Sequence, residues 1–212
     1  LATFRDPALG SCLAASALVA AVMMATLVVG PFYLAGALGL DAASVGVVVS
    51  VGPAVVALAG VPSGRIADRF GAPRMSVAGL AAIALGCAGL AAAPTAWGVA
   101  GYVAALIVVT AGYALFQTAN NTVVMTGVGP DRRGVVSGVL NLSRNLGLLT
   151  GASAMGAVFA LACGTPDVAA APAAAVAAGM RATFAVAAGL MLAALAIAAA
   201  GRALAARRAA AS

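Results

Sequence analysis

The sequence predicts an all-α fold, a polytopic membrane helix bundle. Of its 212 residues, 64% are hydrophobic and only 8% are charged, which is too little polar surface to coat a water-soluble globule. The apolar residues form runs of about 20 or more, bounded by Arg, Asp, Gly and Pro, and a run of that length crosses a hydrocarbon core of ~30 Å. Six such runs predict six transmembrane helices in one membrane domain, residues 1–212.

The six predicted spans differ in length, and several exceed the minimum, which implies tilt or extension beyond the bilayer. They lie at about 11–38, 44–63, 75–93, 97–127, 134–163 and 181–201. Pro31 and Pro53 fall inside the first two spans, where the missing N–H is expected to kink the helix or loosen its hydrogen bonds. The connections near Asp41, near Pro94 and over 164–179 are rich in small residues, and the last is expected to be irregular.

The fifth span carries two pairs of glycines four residues apart, Gly134 with Gly138 and Gly147 with Gly151. Small residues at this spacing let helix backbones approach closely. We therefore expect a packed bundle rather than separate lipid-facing helices. Packing is the usual role of such residues, so the pattern indicates no function.

The positive charge is distributed as in a membrane protein and not as in a nucleic-acid-binding one. The net charge of +6 comes from eleven arginines, which are scattered between apolar runs and form no stripe. If the N-terminus is cytoplasmic, nine of them lie on the cytoplasmic side. These are Arg5, Arg65, Arg69, Arg74, Arg132, Arg133, Arg202, Arg207 and Arg208. Arg181 falls outside and Arg144 within a span, so we expect both termini of this chain to be cytoplasmic. The expected location is the inner membrane of a bacterium.

Neither a cofactor nor a metal centre is predicted. Histidine is absent, which removes the commonest metal ligand and general base. The cysteines, Cys12, Cys87 and Cys163, lie in apolar runs without a C-x-x-C spacing. The chain starts at Leu1, and Phe4 to Pro7 resemble a polar juncture before a helix rather than a signal peptide. This start suggests a fragment of a longer protein.

A charged segment separates the second and third spans. Its notable residues are Gly64, Arg65, Asp68, Arg69, Gly71 and Arg74. They could form a solvated, positively charged loop, because Gly permits a tight turn and Asp and Arg can bond helix ends or each other. The segment resembles the cytoplasmic gating loop of the major facilitator superfamily, whose pattern G-x-x-x-D-R-x-G-x-x-R is met at all its fixed positions.

A second stretch resembles the last helices of fourteen-helix drug:proton antiporters of the same superfamily. It comprises 117–121, the loop residues Pro130, Asp131, Arg132, Arg133 and Gly134, and 141–147. The resemblance implies that the chain is the C-terminal half of a transporter, built from two inverted three-helix repeats, whose N-terminal half is missing. It also implies proton-driven efflux of drug-like or amphipathic small molecules, with lipid, substrate and protons as partners.

Polar residues inside the fourth and fifth spans are candidates for a transport cavity. The candidate lining is Tyr33, Phe116, Gln117, Asn120, Asn121, Asn141, Arg144 and Asn145. The first three amides share one helical face by spacing, and Arg144 lies ~15 Å from the start of its span, near the midplane. An Arg there costs about 2.5 to 3.5 kcal/mol, so it should face acceptors such as these amides. The alternative is that these groups only join helices, and that the aromatics only pack.

The acidic residues lie in the wrong places for proton coupling within this chain. All of them, Asp6, Asp41, Asp68, Asp131 and Asp167, fall at span ends or in loops. Proton-coupled transport generally needs a titratable group inside the membrane. If transport is proton-driven, the coupling carboxylate is expected on the missing half.

Three other functions are alternatives to drug efflux. A major facilitator transporter of a sugar, metabolite or peptide fits the same motifs, and so does a non-transporting membrane scaffold or sensor. An intramembrane enzyme is disfavoured, because the known chemistries need a histidine or paired carboxylates at membrane depth.

Overall fold

The computed structural model describes the backbone of residues 7–92, 95–126, 128–165 and 167–211, and the side chains within these ranges from residue 9 to 201. Within them the chain forms six long apolar helices and no strand. These are α1 (Pro7–Phe32), α2 (Ala42–Phe70), α3 (Ala72–Ala92), α4 (Gly98–Thr126), α5 (Arg133–Cys163) and α6 (Ala173–Ala211). Each is long and apolar enough to cross a membrane, which confirms the predicted all-α membrane bundle.

The helices pack as two related halves. Helix α1 packs on α5 and α6, helix α4 packs on α2 and α3, and α3 packs on α6. Exchanging α1–α3 for α4–α6 turns the α1–α5 contact into the α4–α2 contact and the α1–α6 contact into the α4–α3 contact, and it leaves the α3–α6 contact unchanged. A repeat of three spans starts its second copy on the opposite side of the membrane, so the arrangement is one of two inverted three-helix repeats.

Helices α1 and α5 approach at backbone contact distance. A Cβ atom added to Gly147 would lie 2.8 Å from the Ala17 Cα, and one on Gly151 would lie 2.6 Å from the Ala21 carbonyl oxygen. The predicted role of this glycine pair is therefore confirmed. The prediction is wrong for the other pair, Gly134 and Gly138 at the start of α5, since a Cβ on either glycine would meet no atom within 4 Å.

A second close contact, which we did not predict from the sequence, joins α3 to α4. A Cβ on Gly79 would lie 2.8 Å from the Phe116 Cα, and one on Gly112 would lie 2.9 Å from the Ile83 backbone nitrogen. The absence of side chains at these glycines lets the two helices bury Leu80 and Ile83 completely.

The junction of α2 and α3 is shorter than predicted. Helix α2 continues through Pro53 and ends at Phe70, and α3 starts at Ala72. Only Gly71 interrupts the helices, with a φ of 88° that favours glycine. The expected loop is thus mostly helix, and the tight turn lies at Gly71.

The end of α1 is irregular, as the Gly-Pro pair predicted. After Pro31 the chain continues as a π-helical turn, Tyr33–Ala37, in which the Leu38 N–H bonds the Tyr33 carbonyl at 3.2 Å. Pro31 supplies no N–H to the preceding turn, so the hydrogen-bond register is free to change here.

Helix α6 starts at Ala173, well before the predicted residue 181. Of the segment 164–179, which we expected to be irregular, Val168–Ala170 is a 3₁₀ turn and the last part is helical. Arg181 therefore lies inside a helix. The predictions that fall on Arg5, Asp6, Pro94 and Gly127, and on the side chains of Arg202, Arg207 and Arg208, lie outside the described residues.

Candidate functional site

A polar cluster joins α4 to α5. The half-buried Arg144 guanidinium donates hydrogen bonds to the side-chain oxygens of Asn141 and Asn121, each at 3.4 Å. Asn141 is exposed, and so is Asn145, which makes no hydrogen bond to any part of the chain that the structure describes. The structure thus brings Arg144 together with two of the amides expected around it.

The charge of Arg144 lies closer to one end of the bundle than its backbone does. Its Cα is about 16 Å along α5 at 1.5 Å per residue, but Asn141 lies one turn nearer the helix start. Asn121 lies about 8 Å from the end of α4 by the same rise. Side chains on a helix lean towards its N-terminus, and a long Arg extends further that way. The guanidinium therefore lies nearer to that end of the bundle than the Arg144 Cα does, while the expected depth of Arg144 in the membrane stays a prediction.

Asn120 contacts a different helix from Asn121. It is buried, and its side-chain nitrogen donates to the Ser16 hydroxyl at 2.9 Å and to the Cys12 carbonyl at 3.5 Å, both in α1. Gln117 is half-buried and has no hydrogen bond within the described ranges. These amides therefore have different partners: Asn120 joins α4 to α1, and Asn121 contacts Arg144 of α5.

The two candidate aromatics also lie away from the cluster. Phe116 is buried against Gly79 in the contact of α3 with α4, which makes it a packing residue. Tyr33 is buried at the opposite end of the bundle, where its ring stacks on Tyr102 at a centroid distance of 6.0 Å.

The charged residues at the junction of α2 and α3 face outward. Arg65, Asp68, Arg69 and Arg74 are all exposed. The Arg69 guanidinium lies 5.4 Å from the centroid of the Phe70 ring. Asp68 makes no hydrogen bond or ion pair with any residue that the structure describes. Among the residues whose side chains the structure describes, Asp68 therefore forms no latch with another helix end.

The second charged connection is a 3₁₀ turn, Pro130–Arg132, which leads into α5. Arg132, Arg133 and Gly134 are exposed, the last inside the first turn of α5. The Arg133 side-chain nitrogen donates to the Val128 carbonyl at 3.3 Å, where a cation meets the free carbonyls after α4. An open cleft of about 430 Å³ runs from Arg133 to Asn121.

Serines of the bundle interior were missed from the sequence. Ser16 accepts from Asn120, and the Ser143 hydroxyl donates to the Leu13 carbonyl at 2.7 Å, which ties α5 to α1. A cavity of about 210 Å³ lies beside Asn120, Ser76 and Ala198. The only available signal was a hydroxyl within an apolar span, which is too common to single out these positions.

The family model of the Major Facilitator Superfamily matches residues 1–152, more than two thirds of the chain. The chain belongs to this superfamily. The matched residues of this major facilitator protein include the α2–α3 junction and the whole Arg144 cluster. Together with its apolar helices, the match makes the chain a multi-pass membrane protein.

This major facilitator chain is also similar to a protein of Escherichia coli (strain K12) named "Uncharacterized transporter YebQ". The two are 29% identical over 123 residues, which cover 58% of this chain and 27% of the relative. The chain therefore matches only about a quarter of the relative's length.

Proposed function

We propose that the chain is the C-terminal six-helix half of a secondary active transporter, which exports drug-like or amphipathic small molecules in exchange for protons. The observation that carries the proposal is the Arg144 cluster: a guanidinium within an apolar span whose partners are neutral amide oxygens. A charge in a span is costly unless it faces a watery cavity or a partner. The membership in the superfamily supports the same function.

The cavity would form between this half and an N-terminal half. Exposed leucines flank the cluster on α5, with Leu142, Leu146 and Leu149 each more than half exposed. A face with large apolar residues beside polar ones suits contact with another helical body better than water. In the proposed transporter, the two halves rock against each other around this face.

The proton would be carried by the missing half. Among the described residues, Asp41, Asp68, Asp131 and Asp167 all lie at helix ends or in connections. None of these carboxylates lies at membrane depth, where a coupling group has to titrate.

Asp68 and Arg69 would act as a conformational latch. Both side chains are exposed and their charged groups are not paired with each other across the α2–α3 junction. Exposed charges at helix ends are available to bond the ends of other helices, including those of the missing half, in one transport state.

The charged junctions are proposed to face the cytoplasm of a bacterial cell, with both ends of this chain on that side. Arg65, Arg69 and Arg74 lie at one end of the bundle, and Arg132 and Arg133 lie at the same end because the spans alternate in direction. This asymmetry follows the rule that short translocated loops avoid positive charge. Labelling of single cysteines at positions 69 and 97 in intact cells tests the orientation, since only position 97 should react with an impermeant maleimide.

Drug efflux by the complete transporter tests the function. We expect cells that express it to export a cationic dye, and a protonophore to abolish export. Arg144→Gln should lower the efflux rate several-fold at unchanged membrane abundance. Ser153→Ala is the matched control, because Ser153 is exposed on the same helix and bonds only the Leu149 carbonyl. The proposal would be contradicted if dye export continued in the presence of the protonophore, or if Arg144→Gln left the export rate unchanged.

A further inference from the structure

A cavity of about 250 Å³ lies at the end of the bundle opposite to the Arg144 cluster. Its lining residues come from the end of α1, the end of α3, the start of the α4 segment and the first turns of α6: Tyr33, Leu90, Thr95, Ala174, Ala177, Met180 and Arg181. None of these is acidic. The cavity has room for about eight waters at ~30 Å³ each, and therefore for a tetrahedral oxyanion.

Three side chains with hydrogen-bond donors line this cavity, Arg181, Tyr33 and Thr95, and the first two carry the argument. Arg181 has no hydrogen bond or ion pair with the described part of the chain. Tyr33 is only 4% exposed, its hydroxyl has no hydrogen-bond partner among the described residues, and it lines the cavity together with Arg181. A guanidinium and a buried phenol that share a cavity without a carboxylate make a site for an anion.

The depth of Arg181 matches that of lipid phosphates. Arg181 and Gly201 are about 20 residues apart, so at ~1.5 Å per residue their Cα atoms are about 30 Å apart. The hydrocarbon core is ~30 Å thick, and no charged residue lies between Arg181 and Arg202 in the sequence, so α6 can span the core with Arg181 at one boundary. Trp97 is 64% exposed at the same end of the bundle as Arg181, as expected for an aromatic residue at the headgroup level.

The cavity opens on a face of the bundle that suits lipid. On α6, the exposed residues between 173 and 201 are Ala, Val, Gly and Leu, with Arg181 as the single charged exception in that described range. On α3, the exposed residues of the last two turns are Leu85, Ala88 and Ala92. On these two faces Arg181 is the one charged group among the described residues, and the polar side chains beside it are those of the cavity itself. A guanidinium in such surroundings is expected to take its anion from the bilayer.

We propose that Arg181, Tyr33 and Thr95 bind the phosphate of a phospholipid headgroup in the leaflet at this end of the bundle. A lipid of net negative charge, such as phosphatidylglycerol, is preferred over phosphatidylcholine, because the choline group carries its own cation near the phosphate. The lipid also explains why an arginine is kept on the side that is poor in positive charge. The inference needs only membrane insertion and does not rest on the proposed transport activity.

The one Trp of the chain, Trp97, provides a local reporter, since it lies two residues from Thr95. The chain is reconstituted in bilayers in which brominated phosphatidylglycerol or brominated phosphatidylcholine replaces part of the lipid. Bromine quenches tryptophan fluorescence on contact, so the ratio of quenching by the two lipids measures headgroup preference at this site. We expect a ratio several-fold above one for the wild type and close to one for Arg181→Gln.

The matched control is Arg65→Gln, which removes an exposed arginine at the opposite end and should leave the ratio unchanged. Arg181→Lys should keep most of the preference, because the charge stays. A wild-type ratio of one, or an equal ratio in Arg181→Gln, overturns the proposal. If millimolar inorganic phosphate abolishes the preference, the site takes a small soluble anion and the proposal is likewise overturned. Should Arg181→Gln fail to fold, Tyr33→Phe decides, since it removes one hydroxyl and an unchanged ratio rejects the site.

Discussion

Gly151 of α5 lies directly against the backbone of Ala21 in α1, and no space for a methyl group remains between the two helices. Gly147 makes the equivalent contact with Ala17 one turn away. In a membrane, where no hydrophobic effect drives helices together, such contacts supply the dispersion energy that holds the bundle. Helix α5, which carries Arg144, is therefore positioned by the small size of these residues.

Gly151→Ala is expected to destabilise the bundle. The added methyl carbon would lie 2.6 Å from the Ala21 carbonyl oxygen, so the helices must separate, at a cost of about 1 to 3 kcal/mol. Gly138→Ala is the control in the same helix, since its methyl carbon would meet no atom within 4 Å. Thermal unfolding in detergent measures both variants. Equal transition temperatures for the two would contradict the close contact.

The hydrogen bond between Asn120 and Ser16 is expected to stabilise the contact of α4 with α1. Both side chains are buried and the donor and acceptor are 2.9 Å apart. A double-mutant cycle with Asn120→Ala and Ser16→Ala should give a coupling energy of about 0.6 kcal/mol, and at most about 1.7. The free energy of unfolding in mixed micelles is the measurement. A coupling energy of zero would show that the two groups do not interact.

Tyr102→Phe is expected to stabilise the bundle by about 1 kcal/mol, because a buried polar group without a partner costs that much or more. The Tyr102 hydroxyl is such a group among the described residues.

The Tyr102 hydroxyl fills the space beside Gly30, so Gly30→Ala should destabilise the bundle by bringing its methyl group against that hydroxyl. Tyr102→Phe should then rescue Gly30→Ala. Gly46→Ala, which meets nothing within 4 Å, serves as the control, and the absence of rescue would refute this geometry.

Asp41 is expected to make the start of α2 sensitive to acid. A hydrogen bond from the Ser44 side chain, supported by backbone N–H groups of Ser44 and Ala43, lowers the pKa of Asp41 below its ordinary value. The pKa of Asp41 is lower in the folded state than in the unfolded state. The stabilisation of the α2 N-terminus by this cap is therefore fully present above the ordinary pKa of Asp, and it is lost as the pH falls through the lowered pKa.

An NMR titration of the Ala43 amide, which donates to the Asp41 carboxylate at 3.2 Å, measures this pKa. Its midpoint should lie below the ordinary Asp value of about 3.9. Asp41→Asn keeps an acceptor at the N-cap but cannot titrate, so the shift change should vanish. A midpoint at or above the ordinary value would disprove the capping interaction.

The sequence predicted the number and order of the helices because a bilayer permits few alternatives. Each backbone polar group must be satisfied within its own span, so a long apolar run can hardly be anything but a helix. Composition alone does not locate the ends of these helices. The prediction ended α2 at Ser63 and began α6 at Arg181, whereas α2 continues through Asp68 and Arg69 in its last turn and α6 begins about two turns before Arg181.

Which polar residues meet was decided by tertiary structure alone. Asn120 and Asn121 are neighbours in the sequence, yet one joins α1 and the other contacts Arg144, because adjacent residues on a helix point in directions about 100° apart. The same holds for Tyr33 and Arg181, which are distant in the chain and share one cavity. The apolar composition of the spans determined the fold class. The packing of glycines against neighbouring helix backbones determined which side chains face each other.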